Sequence, residues 1–214
     1  MKNEILVIPD VHGRDFWKEP CREWEGKVVF LGDYHDPYPQ QVSKNNSLEN
    51  LKVLVNFYEN NKSRVICLLG NHDGNYLIKD ADRVDYNNYN EVTSLLKKLD
   101  LKVAYHINDI LFSHAGVLPK WLKVNNLSIE DIPNLKFDHK ALTDISPWRG
   151  GFSEVGGILW GDVREYASED HIPNLYQVFG HTQMNKEIIQ PDFACLDCRK
   201  CFIMNLDSKE IREY

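Results

Sequence analysis

Aspartate, asparagine and histidine follow directly on apolar runs at five places in this chain of 214 residues. Ile5, Leu6, Val7 and Ile8 lead to Asp10, His12 and Gly13; "VVFLGDYHD" supplies Asp33 and Asp36; "VICLLGNHD" supplies Asn71, His72 and Asp73. "ILFSHAG" supplies His114, and "YQVFGHT" supplies His181. Carboxylate oxygen, amide oxygen and imidazole nitrogen are the ligand set of hard or borderline divalent ions, and the absence of thiolate from these motifs argues against a structural zinc knot. One Asp-x-His after an apolar run also reads as a capped turn, and Gly-Asp and Gly-Asn pairs are ordinary turn signals. That reading would have to hold five times over, so a metal site is the better account of the whole set.

Such residues meet only if the strands before them end at a common edge. The first run is too continuous for a half-exposed strand and predicts one covered on both faces. The C-terminal end of such a strand is where an open α/β sheet places its ligands. In an extended segment Asp10 and His12 would point the same way. "KVVFLGD" predicts a second strand, "SLENLKVLVNFYENN" a helix with Ser47 as N-cap, and "RVICLLGNHD" a third strand. "NEVTSLLKKL" predicts a further helix, and Asn108 and Asp109 split "LKVAYHINDILFSHAG" into a hairpin. The segment from about 117 to 175 is irregular and rich in Pro, Asn and Trp; strands return in "LYQVFGHT", "FACLDC" and "CFIMNL". The expectation is one domain over 1–214 in which the irregular segment covers the site.

Composition narrows the function classes. At 43% hydrophobic residues the chain can bury a sizeable core. A net charge of -7 with no long basic run argues against nonspecific nucleic-acid binding. No run of about 18 apolar residues could span a membrane, no signal peptide is visible, and five Cys fit reduced thiols; a cytoplasmic location is expected.

"DVHG" (Asp10 to Gly13), "GDYHD" (Gly32 to Asp36), "GNHD" (Gly70 to Asp73), "HAG" (His114 to Gly116) and "GHT" (Gly180 to Thr182) stand in the order found in calcineurin-like metallophosphoesterases. The chain resembles the phosphoprotein phosphatase branch of that family and its bacterial and phage relatives. The resemblance implies an α/β fold, the four-layer α/β/β/α sandwich, with two divalent ions at the strand tips. It implies Asp10 and His12 on the first ion, Asp33 bridging both, and Asn71, His114 and His181 on the second. Wider members carry another His where this chain has Gln183. Two cations about 3.5 to 4 Å apart would lower the pKa of a bridging water and clamp phosphoryl oxygens, so that hydroxide attacks phosphorus directly. His72 would protonate the departing oxygen, held by Asp36.

The chain departs from that branch at Pro37, where its relatives have an Arg that grips phosphate. Arg149 in "SPWRGG" and Arg164 in "LWGDVRE" are the candidate replacements, with Arg14 a weaker third. Mn²⁺ is the expected ion, and Fe and Zn²⁺ suit the same ligands. The expected partner is a phosphorylated substrate: a phosphoserine or phosphothreonine protein, a small phosphomonoester, or alternatively a dinucleoside polyphosphate. A binding scaffold that kept the fold and lost the chemistry would be expected to lack ligands or the acid His. The remaining histidines (His35, His106, His139, His171) and Cys195, Cys198 and Cys201 are read as structural, and "DSKEIREY" as a solvated tail. Trp121, Trp148 and Trp160 are read as packing residues, with an aromatic wall for a nucleobase as the alternative.

Overall fold

The computed structural model describes residues 3–38, 40–78 and 84–214. In chain order its strands are β1 (Glu4–Ile8), β2 (Lys27–Phe30), β3 (Val65–Cys67), β4 (Ala104–Ile107), β5 (Ile110–Ser113), β6 (Tyr176–Phe179), β7 (Ile188–Ile189), β8 (Phe193–Cys195), β9 (Phe202–Asn205) and β10 (Ile211–Glu213). Its helices are α1 (Lys18–Glu23), α2 (Lys44–Asn60), α3 (Asn71–Leu77), α4 (Tyr89–Leu96), α5 (Pro119–Asn125) and α6 (Val163–Ser168). The residues fall into two compact units: one runs to Leu101 and resumes at Arg199–Tyr214, the other is Lys102–Cys198. The fold is mixed α/β with two sheets, consistent with the metallophosphoesterase sandwich.

In the first unit the sheet order is β10-β9-β1-β2-β3. Ile5 to Ile8 are fully buried, as a strand covered on both faces requires. β1 runs parallel to β2 and β2 to β3, with Ile8 opposite Phe30 and Phe30 opposite Cys67. The three strands therefore end level, and the three motifs that follow them leave one edge of this sheet. α2 buries Leu48, Leu51, Leu54, Val55 and Tyr58 along one stripe. Its cap corrects the expectation from sequence: the helix starts at Lys44, and Ser43 Oγ accepts the Asn46 N–H at 3.2 Å. Ser47 lies inside the helix, wholly buried, with its Oγ 2.8 Å from His35 Nδ1. The terminal segment is not merely a solvated tail, because β10 pairs antiparallel with β9 and Arg212 reaches Glu4 at 3.0 Å. Its outward side chains are polar, which is what concealed it.

In the second unit the order is β4-β5-β6-β8-β7. The predicted hairpin is present, with Asn108 in the left-handed region that its turn requires (φ +53°). β5 and β6 are parallel, Phe112 opposite Val178, so His114 and His181 leave the same edge of this sheet. Between them α5, three 3₁₀ turns and α6 make up much of the irregular segment. It buries Trp121, Ile132, Leu142, Ile158 and Leu159. Trp121 packs there with Nε1 3.1 Å from Asp144 Oδ2, whereas Trp148 is 49% exposed beneath the Arg164 guanidinium. All five cysteines are free and buried, as core filler should be. Among the described residues no helix is long and apolar enough to cross a membrane.

Candidate metal centre and catalytic groups

The edge of the first sheet holds a cluster that its backbone works to create. His12, Asp33 and Asp36 all adopt positive φ (+44°, +53° and +56°), a region costly for residues with a Cβ and found where surrounding structure imposes it. His12 is therefore not in the extended segment expected of it. Its ring Nδ1 lies 3.0 Å from the Asp36 carbonyl oxygen and 3.2 Å from that of His35. Carbonyls only accept, so Nδ1 carries the proton. Burial holds the His12 imidazole well below its ordinary pKa, with the charges of His72 and Arg14 adding to this, so the ring is neutral and Nε2 keeps its lone pair. That lone pair faces Asp33 Oδ2 at 3.4 Å, with both side chains buried. Two electron-pair donors this close in a dry place repel unless a proton or a metal ion lies between them. The residues present thus fit a divalent metal, and one ligand atom each from His12, Asp33 and His72 lies within 4.8 Å of the others. Burial, opposed by His72 and reinforced by the carboxylates of Asp10 and Asp73, pushes the Asp33 carboxyl well above its ordinary value. A metal ion would reverse that.

Asp73, which sequence reasoning quoted in its motif without a role, organises this edge. Its buried carboxylate accepts the N–H groups of Asp33 (2.8 Å), Tyr34 (3.0 Å) and Gly70 (2.9 Å), tying the second motif to the third. Gly70 can be nothing larger, since a Cβ there would meet Asp33 Oδ1 at 2.1 Å. The His72 N–H donates to the same Asp33 Oδ1 at 2.9 Å. The His72 ring stands edge-on to His12 (5.0 Å between centroids), with Nδ1 3.3 Å from Asp36 Oδ2. Arg14 spends its donors on the loop itself, bonding the carbonyls of Asp10 at 2.7 Å and Val11 at 3.0 Å, which makes it a brace of the first motif. His35 is buried between Ser47 and Asp85, a structural place as expected.

In the second unit His114 Nε2 and His181 Nδ1 are 3.2 Å apart, and His181 too has a left-handed backbone (φ +64°). Trp160 stands edge-on to His181 at 6.0 Å. Both candidate arginines converge on Asp162, which is fully buried and caps α6. Arg149 Nε lies 2.9 Å from Asp162 Oδ2, and its Nη2 donates to Thr182 Oγ1 at 2.8 Å, one residue beyond His181. Arg164 forks onto both Asp162 oxygens at 2.8 and 3.0 Å, and its side chain is 64% exposed. Burial alone would raise the Asp162 carboxyl, but the Arg164 hydrogen bonds and the Arg149 charge outweigh it and hold it below the ordinary value. Two guanidiniums share one carboxylate, which leaves this cluster one positive charge in surplus. Asp162 and Thr182 were not singled out from sequence; Asp162 stood only inside the quoted "LWGDVRE", in a segment read as irregular. His139 and His171 make local bonds, to Ala141 and to Asp192 and the Tyr166 carbonyl respectively.

A family model described as calcineurin-like phosphoesterase matches residues 4–189. Solved structures give the same fold at low identity. A cold-active protein-tyrosine phosphatase from a psychrophilic Shewanella species matches over 100% of this chain and 80% of that one, at TM-score 0.66 and 18% identity. A Saccharomyces cerevisiae serine/threonine phosphatase described as similar to human PP5 matches over 100% and 80%, at 0.58 and 16%. A Sphaerobacter thermophilus metallophosphoesterase matches over 99% and 87%, at 0.53 and 12%. Among curated proteins no match was found. The class defined here is that of metal-dependent phosphoric ester hydrolases, which act on phosphorylated substrates. The chain belongs to the calcineurin-like phosphoesterase family.

Proposed function

We propose that this protein is a phosphomonoesterase, serine/threonine phosphatase-like or acting on small phosphate esters, that uses two divalent ions. The observation that carries this reading is the buried His12 Nε2 facing Asp33 Oδ2 at 3.4 Å, a pair that makes chemical sense as two ligands of one cation. Asp10, His12, Asp33, Asn71, His114 and His181 are the proposed ligands, with Asp33 shared, and Mn²⁺ is the proposed ion. When bound, such ions lower the pKa of water and neutralise phosphoryl oxygens. His72, oriented by Asp36, gives its proton to the departing oxygen as the P–O bond breaks. Arg149 takes the place of the arginine that Pro37 displaces, because its partner Thr182 adjoins His181, while Arg164 spends its fork on Asp162. Residues 1–214 are proposed to act as one domain, with the segment from about 117 to 175 covering the site, in a cytoplasmic protein that binds neither membrane nor nonspecific nucleic acid.

The test is Mn²⁺-dependent hydrolysis of p-nitrophenyl phosphate beside bis-p-nitrophenyl phosphate and a dinucleoside tetraphosphate, with metal content measured on the same sample. We expect metal-dependent monoesterase turnover; His72→Asn should cost about 10²- to 10⁴-fold on glycerol 2-phosphate, whose alkoxide needs a proton to leave, and far less on p-nitrophenyl phosphate. Preference for the tetraphosphate would replace the monoester reading with nucleotide hydrolysis. A chain that binds well under two ions and turns over none of the three would be a scaffold.

A further inference from the structure

Tyr76, in the last turn of α3, is 2% exposed and has no part in the chemistry so far. Its hydroxyl lies 2.8 Å from Asp36 Oδ1 and 2.7 Å from the backbone nitrogen of Asp85. The direction of these bonds is forced. The Asp85 N–H can only donate, so the phenol oxygen accepts there and its one hydrogen goes to the Asp36 carboxylate. Burial pushes the Tyr76 phenol far above its ordinary pKa, so the hydrogen stays in place at any working pH. Asp36 Oδ1 is thereby occupied, and Oδ2 is left toward His72 Nδ1 at 3.3 Å.

Tyr76 is itself held from several sides. Its ring stacks on Tyr89 (5.4 Å between centroids, 27° between planes), and the Tyr89 hydroxyl donates to the Tyr76 carbonyl at 3.2 Å. Asp85, whose N–H it accepts, takes a bond from Asn88 at 2.8 Å and lies 3.6 Å from Lys44 Nζ and from His35 Nε2. Asp36, by contrast, stands on a left-handed backbone (φ +56°) with a carboxylate that could otherwise rotate about χ2.

We infer that Tyr76 is a positioning residue for the proton donor: it pins one oxygen of Asp36 so that the other fixes the orientation of the His72 imidazole. This rests on the proposed roles of His72 and Asp36. Its consequence falls on the leaving group. An alkoxide needs its proton as the P–O bond breaks, whereas p-nitrophenolate leaves readily without one, so a misaligned acid harms alkyl esters far more than p-nitrophenyl esters.

The experiment compares wild type and Tyr76→Phe, loaded with Mn²⁺, on p-nitrophenyl phosphate and on glycerol 2-phosphate. The expected result is a kcat loss of about tenfold or more on the alkyl ester, a smaller part of what an acid supplies. KM should stay within about twofold, and kcat on the aryl ester within about threefold. The ratio of the two kcat values does not depend on the fraction of folded protein, so partial misfolding cannot imitate the effect. In an Asp36→Asn background, Tyr76→Phe should add nothing further, because the two act through one path. Equal losses on both esters, an unchanged Tyr76→Phe, or additivity with Asp36→Asn in an active enzyme would overturn the inference alone. A metal-loaded wild type inert toward both esters overturns the proposed function and this inference with it.

Discussion

Replacing Asp73 tests whether the metal-bearing edge is held by one buried carboxylate. Asp73 Oδ2 accepts from the Asp33 and Gly70 N–H groups and Oδ1 from Tyr34, at 2.8, 2.9 and 3.0 Å. In Asp73→Asn the amide oxygen can keep the first two bonds, but its NH₂ then faces the Tyr34 N–H, donor against donor. Losing one hydrogen bond to a charged group is worth about 1.5–3 kcal/mol, so the expected destabilisation is about 2 kcal/mol. Asp73→Ala strands all three buried donors. At about 1–3 kcal/mol each, and with water admitted to the vacated space, the expected cost is about 4 kcal/mol. Domains of this kind have about 5–15 kcal/mol in hand, so both variants should fold. Urea unfolding in the presence of EDTA isolates this effect from metal binding. The reasoning is refuted if Asp73→Asn unfolds within about 0.5 kcal/mol of wild type, or if Asn and Ala cost the same.

The two arginines should separate kinetically. Arg149→Ala should lower kcat/KM for a monoester about 10- to 100-fold, through both KM and kcat, while Arg164→Ala should stay within about threefold; the reverse order in steady-state assays would make Arg164 the clamp. The Asp162 carboxyl gives a pH signature. Its folded pKa is depressed, so the native state binds fewer protons than the unfolded chain; the stability it contributes is full above the unfolded value near 4 and is lost as pH falls through the folded one. Thermal unfolding from pH 5 to 2 should therefore fall more steeply for wild type than for Asp162→Asn, and equal slopes would remove the carboxylate from the account.

The motifs were legible because each ligand type directly follows a buried strand, and the strand is the strongest signal a sequence carries. β1, β2, β3, β5 and β6 were readable from their apolar runs, and the parallel pairings within each sheet then bring their tips level. The supporting residues were opaque for a physical reason. Asp73 bonds groups 39 and 40 positions away, and Arg149 reaches Thr182 33 positions on, so no local pattern reveals either. Ser47 looked like a cap because Ser before an apolar helical stripe usually is one, yet the helix starts a turn earlier, capped by Ser43, and Ser47 meets His35 from inside it. β7 and β10 are two and three residues long and, unlike the equally short β3, sit in apolar runs of no more than two residues.

The first unit is closed by both ends of the chain: β1 lies between β2, which follows soon after it, and β9, which follows the whole of residues 102–198. During synthesis β1 can pair with β2 almost at once, but its other edge stays open until Phe202–Asn205 leaves the ribosome. At about 5–20 residues per second that is an interval on the order of ten seconds or more. Throughout it, a strand apolar from Ile5 to Ile8 offers unpaired N–H and C=O groups to any passing chain. The cell must therefore shield this nascent chain for longer than its size alone would demand, and a truncation before residue 202 should yield an aggregating fragment however well the five motifs are preserved.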